Sequence, residues 1–243
     1  MNSLLESIKT NGLFVLEFLG IVVGVFLVAY LFERIALSKK KKVDKSGKKE
    51  KILTTRKMVV TGMFAAIATV LFLFDFPVLF APVFYKLDFS ELPALIVSFA
   101  YGPVAGVLVE FVKILLKIMI KGTDSAFVGE LANFVVGSAL ILPAGIIYYF
   151  KKTKKTAIVA CIAGTLFITV AGTVFNAVYL LPAFAKLYGM PLDAIIAMGS
   201  EINGRITGIW SFVLLCVAPL NLIKGALISI VTMLIYKPLR KVI

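Results

Sequence analysis

Two polar residues lie in the middle of an apolar C-terminal segment, in the stretch PLNLIKG at residues 219–225. Asn221 and Lys224 are three positions apart, so a helix would place both on one face. An ionisable side chain at membrane depth is costly and needs a partner. Lys224 has no acidic residue three or four positions away. Its ammonium must therefore be matched by another helix, by water or by a ligand, for which a carbonyl oxygen would serve.

Two further carboxamides, Asn133 and Asn176, also lie in apolar segments. The three asparagines offer donors and acceptors that could line one cavity, or they could form hydrogen bonds between helices. Amides, one cation and aromatic walls would suit a flat, neutral heterocycle with carbonyl and ring-nitrogen acceptors. A phosphate or other dianion would require clustered arginines, and Arg205 is the only arginine between residues 57 and 239.

A second set of charged residues lies at residues 110–130. Glu110 and Lys113 have the spacing at which opposite charges on a helix neutralise each other. Lys117 and Lys121 continue this stripe toward the end of the segment, where long side chains can reach the interface. A pair of catalytic carboxylates would need Glu110 to meet Glu130 across two helices, and neither lies in a catalytic motif.

Several kinds of chemistry are excluded by residues that the sequence lacks. It contains no histidine, which removes histidine-based acid-base catalysis and histidine metal sites. It has no G-x-x-x-x-G-K-[ST] phosphate loop and no G-x-S-x-G motif, so any ATP must be hydrolysed by another chain. Cys161 and Cys216 have no CxxC spacing and are predicted to be inert apolar residues. We therefore expect neither an enzyme nor a protein with a metal or cofactor.

The elements that must position these residues are predicted to be membrane helices. The chain has 243 residues, of which 60% are hydrophobic, and a mean hydropathy of +1.02. Its apolar runs are long enough to cross a bilayer of about 30 Å, and strand content should be near nil. A break is expected at Gly102 and Pro103. The predicted helices are 13–32, 58–74, 92–100, 104–120, 127–150, 157–184 and 212–236.

The net charge of +13 is concentrated in three lysine clusters, at 37–51, 151–155 and 237–241. Each cluster lies just outside an apolar run, which is the positive-inside pattern and argues against nucleic acid. This pattern predicts a multi-pass protein of the cell membrane, in contact with lipids, with its N-terminus outside and its C-terminus in the cytoplasm. The predicted units are an anchor at 1–36, a basic linker at 37–56 and a membrane domain at 57–243.

Small residues on the first helix of the membrane domain recur at the spacing that permits close helix packing. They lie in the stretch TGMFAAIATV and could contact either this chain or another subunit. The residues are Gly62, Ala65, Ala66 and Thr69.

Four stretches, APVFYKLDFSELPALIVSFAYGPVAGVLVEFVKILL, VGELANFVVG, NAVYLLPAF and APLNLIKG, resemble a known family in order and spacing. They are similar to the riboflavin-specific substrate-binding (S) components of energy-coupling factor (ECF) transporters, the RibU type. The resemblance covers about residues 57–240. It implies an all-α membrane protein with a six-helix S-component bundle, here preceded by one extra N-terminal helix.

The resemblance also implies what the protein binds. The expected substrate is riboflavin, taken from the outside, and the expected partners are a membrane T subunit and two ABC ATPases. The small residues of the first core helix would face the T subunit. In this family, asparagines of the fourth and fifth core helices and the N-x-x-K of the last helix hold the flavin, and a loop caps the pocket. The corresponding residues are Asn133, Asn176, Asn221, Lys224 and, in the loop, Phe84, Tyr85, Lys86, Leu87 and Asp88.

Three other functions compete with this interpretation. An S component for another vitamin is one, although a thiamine site would be expected to use carboxylates and stacked tryptophans, and Trp210 is the only tryptophan. A stand-alone secondary carrier is the second, although such carriers often contain repeated halves, which the sequence does not show. A structural membrane scaffold is the third, and it predicts no ligand.

Overall fold

The computed structural model describes residues 12–41, 52, 54–123 and 125–239. Most of these residues are helical, and the only strands in the described part form a short antiparallel hairpin in which Phe76 pairs with Leu87. The elements are α1 (Gly12–Lys41), α2 (Thr55–Leu73), β1 (Phe76–Pro77), β2 (Lys86–Leu87), α3 (Glu91–Tyr101), α4 (Pro103–Lys121), α5 (Val128–Phe150), α6 (Lys154–Phe175), α7 (Leu181–Tyr188), α8 (Leu192–Ile202), α9 (Ile209–Phe212) and α10 (Ala218–Leu239).

The break between α3 and α4 lies where the sequence predicts it. Gly102 has a φ of +113°, which glycine adopts readily, and Pro103 occupies the first position of α4, where its missing N–H costs nothing. The next free amide, Val104 N–H, donates to Glu33 Oε2 of α1 at 3.0 Å. A Cβ at Gly102 would lie 2.7 Å from the Glu33 carboxyl group. Glycine therefore provides both the bend and the space for this carboxylate.

Five helical segments of the described chain are long and apolar enough to cross a membrane. The α3 and α4 pair is an exception, because α3 has only 11 residues and α4 carries four charged side chains. Two of those charged residues, Glu110 and Lys113, point inward and are fully buried. The five segments are Gly12–Lys39, Thr55–Leu73, Val128–Phe150, Lys154–Tyr188 and Ile209–Tyr236.

The last two long segments each contain a π-helical turn, at Asn176–Leu180 and Val213–Val217. A π turn inserts one extra residue into a helix and is frequent at functional sites. The first joins α6 to α7 and the second joins α9 to α10, so that both helices extend beyond the predicted ranges 157–184 and 212–236. The sequence analysis did not predict these turns, nor did it predict α8.

Helix α1 packs along α4 and α5. It continues to Lys41, so the predicted boundary between an anchor at 1–36 and a linker at 37–56 falls inside a helix. Most of the remaining linker lies outside the described residues. Ile52 is described and packs beside Ala36, Leu37 and Tyr149.

The small residues of α2 lie on two faces of that helix. Ala65 and Thr69 are buried within the chain, and Thr69 donates a hydrogen bond to the backbone oxygen of Ala65. Gly62 and Ala66 are exposed, and no atom lies within 4 Å of a Cβ built at Gly62. Of the four residues predicted to meet a partner, only Gly62 and Ala66 are accessible to one in this conformation.

Candidate functional site

A cavity of about 430 Å³ lies between α2, α4, α5, the π turn after α6, and α10. This volume is within the range of about 300–1,000 Å³ that is usual for small-molecule sites. All three predicted asparagines and Lys224 contribute to its lining. The helices therefore bring together four polar residues that are dispersed over 92 positions of the sequence.

Lys224 is matched by two carboxylates of the protein. Its Nζ lies 3.0 Å from Asp88 Oδ2 and 2.7 Å from Glu91 Oε1, and only 6% of the residue is exposed. Of the three partners considered for this ammonium, another helix, water or a ligand, the structure supplies the first, since Glu91 begins α3 and Asp88 lies in the loop just before it. An ammonium has three N–H donors, and two are directed at these carboxylates. The third remains for another acceptor in the cavity.

The ion pairs continue away from the cavity through Lys113. Its Nζ lies 2.6 Å from Glu110 Oε2, as the sequence spacing predicts, and 3.6 Å from Glu91 Oε1. It also donates to Ser90 Oγ at 2.9 Å. Glu91 thus links the two lysines, and removal of any one member would leave buried charge uncompensated.

Asp88 precedes α3, in the loop that follows the hairpin. Burial acts to raise the pKa of its carboxyl group, but the ammonium of Lys224, followed by Lys113 and the hydrogen bonds from Ser90, lowers this pKa below its usual value. The carboxylate is therefore ionised at neutral pH. The ion pair between Asp88 and Lys224 joins two segments that are 136 residues apart in the sequence, and it thereby holds the loop against α10.

Asn176 lies at the first position of the π turn, and both polar atoms of its side chain are hydrogen-bonded to the protein. Its Oδ1 accepts from the Tyr85 hydroxyl at 2.8 Å, and its Nδ2 donates to the Gly172 oxygen at 2.7 Å. Burial raises the pKa of Tyr85 far above its usual value, so the hydroxyl remains a donor. Asn176 therefore connects the loop to α6 at the cavity wall.

Asn221 differs from Asn176 in one respect. Its Nδ2 is buried and has no hydrogen-bond partner among the described residues. A buried donor without an acceptor costs about 1–3 kcal/mol, so a ligand acceptor that reached this amide would remove that cost. Among the described residues that line the cavity, Asn221 has a buried side-chain donor without a partner.

The wall formed by α4 and α5 is also polar. Lys117 Nζ lies 2.5 Å from Glu130 Oε1 and 3.1 Å from the Gly122 oxygen. Thr123 and Ser125 donate to the second oxygen of Glu130. Asn133, one turn beyond Glu130, donates to the Gly129 oxygen at 3.0 Å. Glu110 and Glu130 thus belong to separate ion pairs rather than to one carboxylate pair.

Four of the five predicted loop residues contribute to the cavity lining: Phe84, Tyr85, Lys86 and Asp88. Leu87 does not; it is buried in an apolar cluster with Phe212 and Leu220. Lys86 forms an exposed ion pair with Asp75 at 3.0 Å, which closes the base of the hairpin.

Sequence reasoning missed Glu91 and underestimated Asp88. No acid lies three or four positions from Lys224 within its own helix, whereas Glu91 lies 133 residues earlier. A signal was available, because Asp88 and Glu91 are two acids within four residues at the start of a predicted membrane helix. Phe184, Leu180 and Leu220 also line the cavity and add apolar surface that the motif did not identify.

Gly172 contacts two of the cavity asparagines, Asn176 and Asn221. We predict that Gly172→Ala weakens ligand binding. A Cβ there would lie 2.5 Å from Asn221 Nδ2, so the amide would have to move. Loss of its hydrogen bond should weaken affinity by roughly 5- to 100-fold. Titration of the ligand would measure this loss. Gly62→Ala, which has no atom within 4 Å, serves as the control and should bind normally.

The chain is similar to a known protein family and to several characterised relatives. The profile of the family described as "ECF transporter, substrate-specific component" matches residues 56–236. Riboflavin transporter FmnP of Bacillus subtilis (strain 168) is 33% identical over 189 residues, which cover 77% of this chain and 94% of the relative. Riboflavin transporter RibU of Staphylococcus aureus (strain TCH60) is 35% identical over 184 residues, covering 76% and 90%.

One solved structure is similar over the same extent. It is described as the S component of a bacterial ECF transporter, and it superposes with a TM-score of 0.60 at 34% sequence identity. The alignment covers 76% of this chain and 96% of that structure. The family match begins at residue 56, so α1 lies outside the matched domain.

Proposed function

Because the chain belongs to the family of substrate-specific components of ECF transporters, we propose that it binds riboflavin in the cavity between α5 and α10. The family consists of transporter components, so the chain is a membrane transport protein and not an enzyme. The fold predicted from the sequence, a six-helix S-component bundle with an extra N-terminal helix, is confirmed. Relatives at 33% and 35% identity are named riboflavin transporters, which supports the choice of substrate.

The observation that carries this proposal is the unused donor of Asn221 beside Lys224. The isoalloxazine ring of riboflavin has two carbonyl oxygens and ring nitrogens along one edge. Asn221 Nδ2 and the third N–H of Lys224 would donate to these acceptors. Tyr85 and Phe184 would pack against the ring, and the polar wall around Asn133 would meet the hydroxylated side chain.

The charge arrangement also supports a neutral ligand. Two ammonium groups of the lining, on the buried Lys224 and the partly buried Lys117, already have carboxylate partners at 2.5–3.0 Å. A dianionic ligand would compete with those carboxylates. The uncharged flavin needs only hydrogen-bond donors and apolar surface.

Release of riboflavin into the cell would depend on partners. The sequence has no phosphate loop, so we propose that a membrane T subunit and two ABC ATPases supply the energy. Gly62 and Ala66 are small exposed residues one turn apart on α2, where a membrane helix could approach closely. The proposed orientation places the N-terminus outside and the lysine clusters in the cytoplasm.

The absorption spectrum of the purified protein tests the substrate. We expect a yellow, fluorescent flavin to co-purify from cells grown with riboflavin, in about one equivalent per chain for a single site. After flavin removal, calorimetric titrations with riboflavin, thiamine, folate and pantothenate should show binding only of riboflavin. Binding of thiamine instead would indicate an S component for another vitamin, and no binding at all would favour the scaffold.

A further inference from the structure

Helix α1 lies outside the family match, yet it is bound to the core at both of its ends. At the end of the bundle that holds the cavity, the Glu17 carboxylate accepts a hydrogen bond from the Tyr179 hydroxyl. At the opposite end, Glu33 accepts from Val104 N–H. A helix that served only as an anchor would need neither of these polar contacts.

The contact at Glu17 reaches an element of the cavity directly. Tyr179 lies in the π turn Asn176–Leu180, three residues after Asn176. Within that turn, Asn176 and Leu180 line the cavity. A π turn has irregular internal hydrogen bonding, so an external hydrogen bond to Tyr179 restricts where the turn can lie.

Apolar contacts from the same part of α1 reach the second wall. Phe14 packs on the cluster that contains Ala132 and Leu180, both of which line the cavity. The ring of Phe18 lies 6.3 Å from that of Phe134, the residue next to Asn133. The first two turns of α1 therefore support both backbone segments that carry Asn133 and Asn176.

We propose that α1 is a positioning element for the flavin site and that Glu17 is its positioning residue. This inference rests on the proposed binding of riboflavin. By holding Tyr179, Glu17 fixes the π turn and thereby the distance from Asn176 to the residues of α10. Glu17 does not touch the ligand; it acts through Tyr179.

The test compares Glu17→Leu with Glu17→Gln in the full-length chain, reconstituted in lipid nanodiscs. Leucine cannot accept from Tyr179, so riboflavin affinity should fall about fivefold or more, the lower end of typical coupling between separate sites. The loss should appear as faster flavin dissociation, measured by the return of flavin fluorescence. Glutamine retains an acceptor oxygen and should bind nearly as the wild type does.

Two further variants distinguish positioning from general stability. Glu33→Leu removes the contact at the other end of the same helix, so it should lower the unfolding temperature without changing affinity. Glu17→Leu combined with Tyr179→Phe should weaken binding no more than Glu17→Leu alone, because both changes remove one contact. Unchanged affinity in Glu17→Leu, or an equal loss in Glu33→Leu, would overturn the proposal. If the wild type itself fails to bind riboflavin, the proposed function is wrong instead.

Discussion

Replacing Lys224 with methionine is expected to weaken flavin binding and to destabilise the ligand-free protein. The substitution leaves Asp88 and Glu91 without the ammonium that lies within 3.0 Å of both. Breaking a buried ion pair from one side costs about 3–5 kcal/mol. The lost hydrogen bond from a charged donor to the flavin should reduce affinity by roughly 10- to 100-fold. Thermal unfolding without ligand and flavin titration measure the two effects separately.

The double variant Lys224→Met with Asp88→Asn separates the structural effect from the effect on the ligand. It removes one of the two uncompensated charges and leaves Glu91 with Lys113, which lies 3.6 Å away. Stability should largely return, whereas flavin binding should not. Recovery of full affinity would show that Lys224 only positions the loop and does not contact the flavin. Lys186→Met, at an exposed position of α7, is the control and should alter neither property.

Local sequence signals predicted the helices well. Apolar runs defined the membrane segments, and the adjacent Gly102 and Pro103 defined the break before α4, because both effects depend on residues close in sequence. The spacing of Glu110 and Lys113 predicted their ion pair for the same reason. The contribution of the three asparagines and Lys224 to one cavity was predicted only through the resemblance to a family, since nothing local relates Asn133 to Asn221.

The contacts that were not predicted are long-range. Glu91 and Lys224 meet only because α3 packs against α10, and no periodicity within either helix indicates this. The spacing of Ala65 and Thr69 correctly indicated close packing but did not distinguish the inner face of α2 from the outer one. The π turns and the polar contacts of α1 depend on tertiary packing as well, so local helix propensity gives no indication of them.

Asn221→Ala should weaken riboflavin binding by roughly 5- to 100-fold, the effect of leaving a buried polar group of the ligand unpaired. The ligand-free protein should be as stable as the wild type, or slightly more so. The reason is that Asn221 Nδ2 has no hydrogen-bond partner in the described part of the chain, so alanine removes an unpaired donor and breaks no hydrogen bond of that nitrogen. Flavin titration and thermal unfolding of the ligand-free variant measure the two quantities.

Asn176→Ala is the matched control, because the same substitution there removes two internal hydrogen bonds, to Tyr85 and to Gly172. It should lower both affinity and the unfolding temperature. This difference would show that Asn176 stabilises the cavity wall through its internal hydrogen bonds, whereas Asn221 donates to the flavin. A loss of stability in Asn221→Ala equal to that in Asn176→Ala, with little change in affinity, would contradict the assignment of Asn221 as a ligand contact. In that case the ammonium of Lys224 and the wall around Asn133 would have to provide the polar recognition of the flavin.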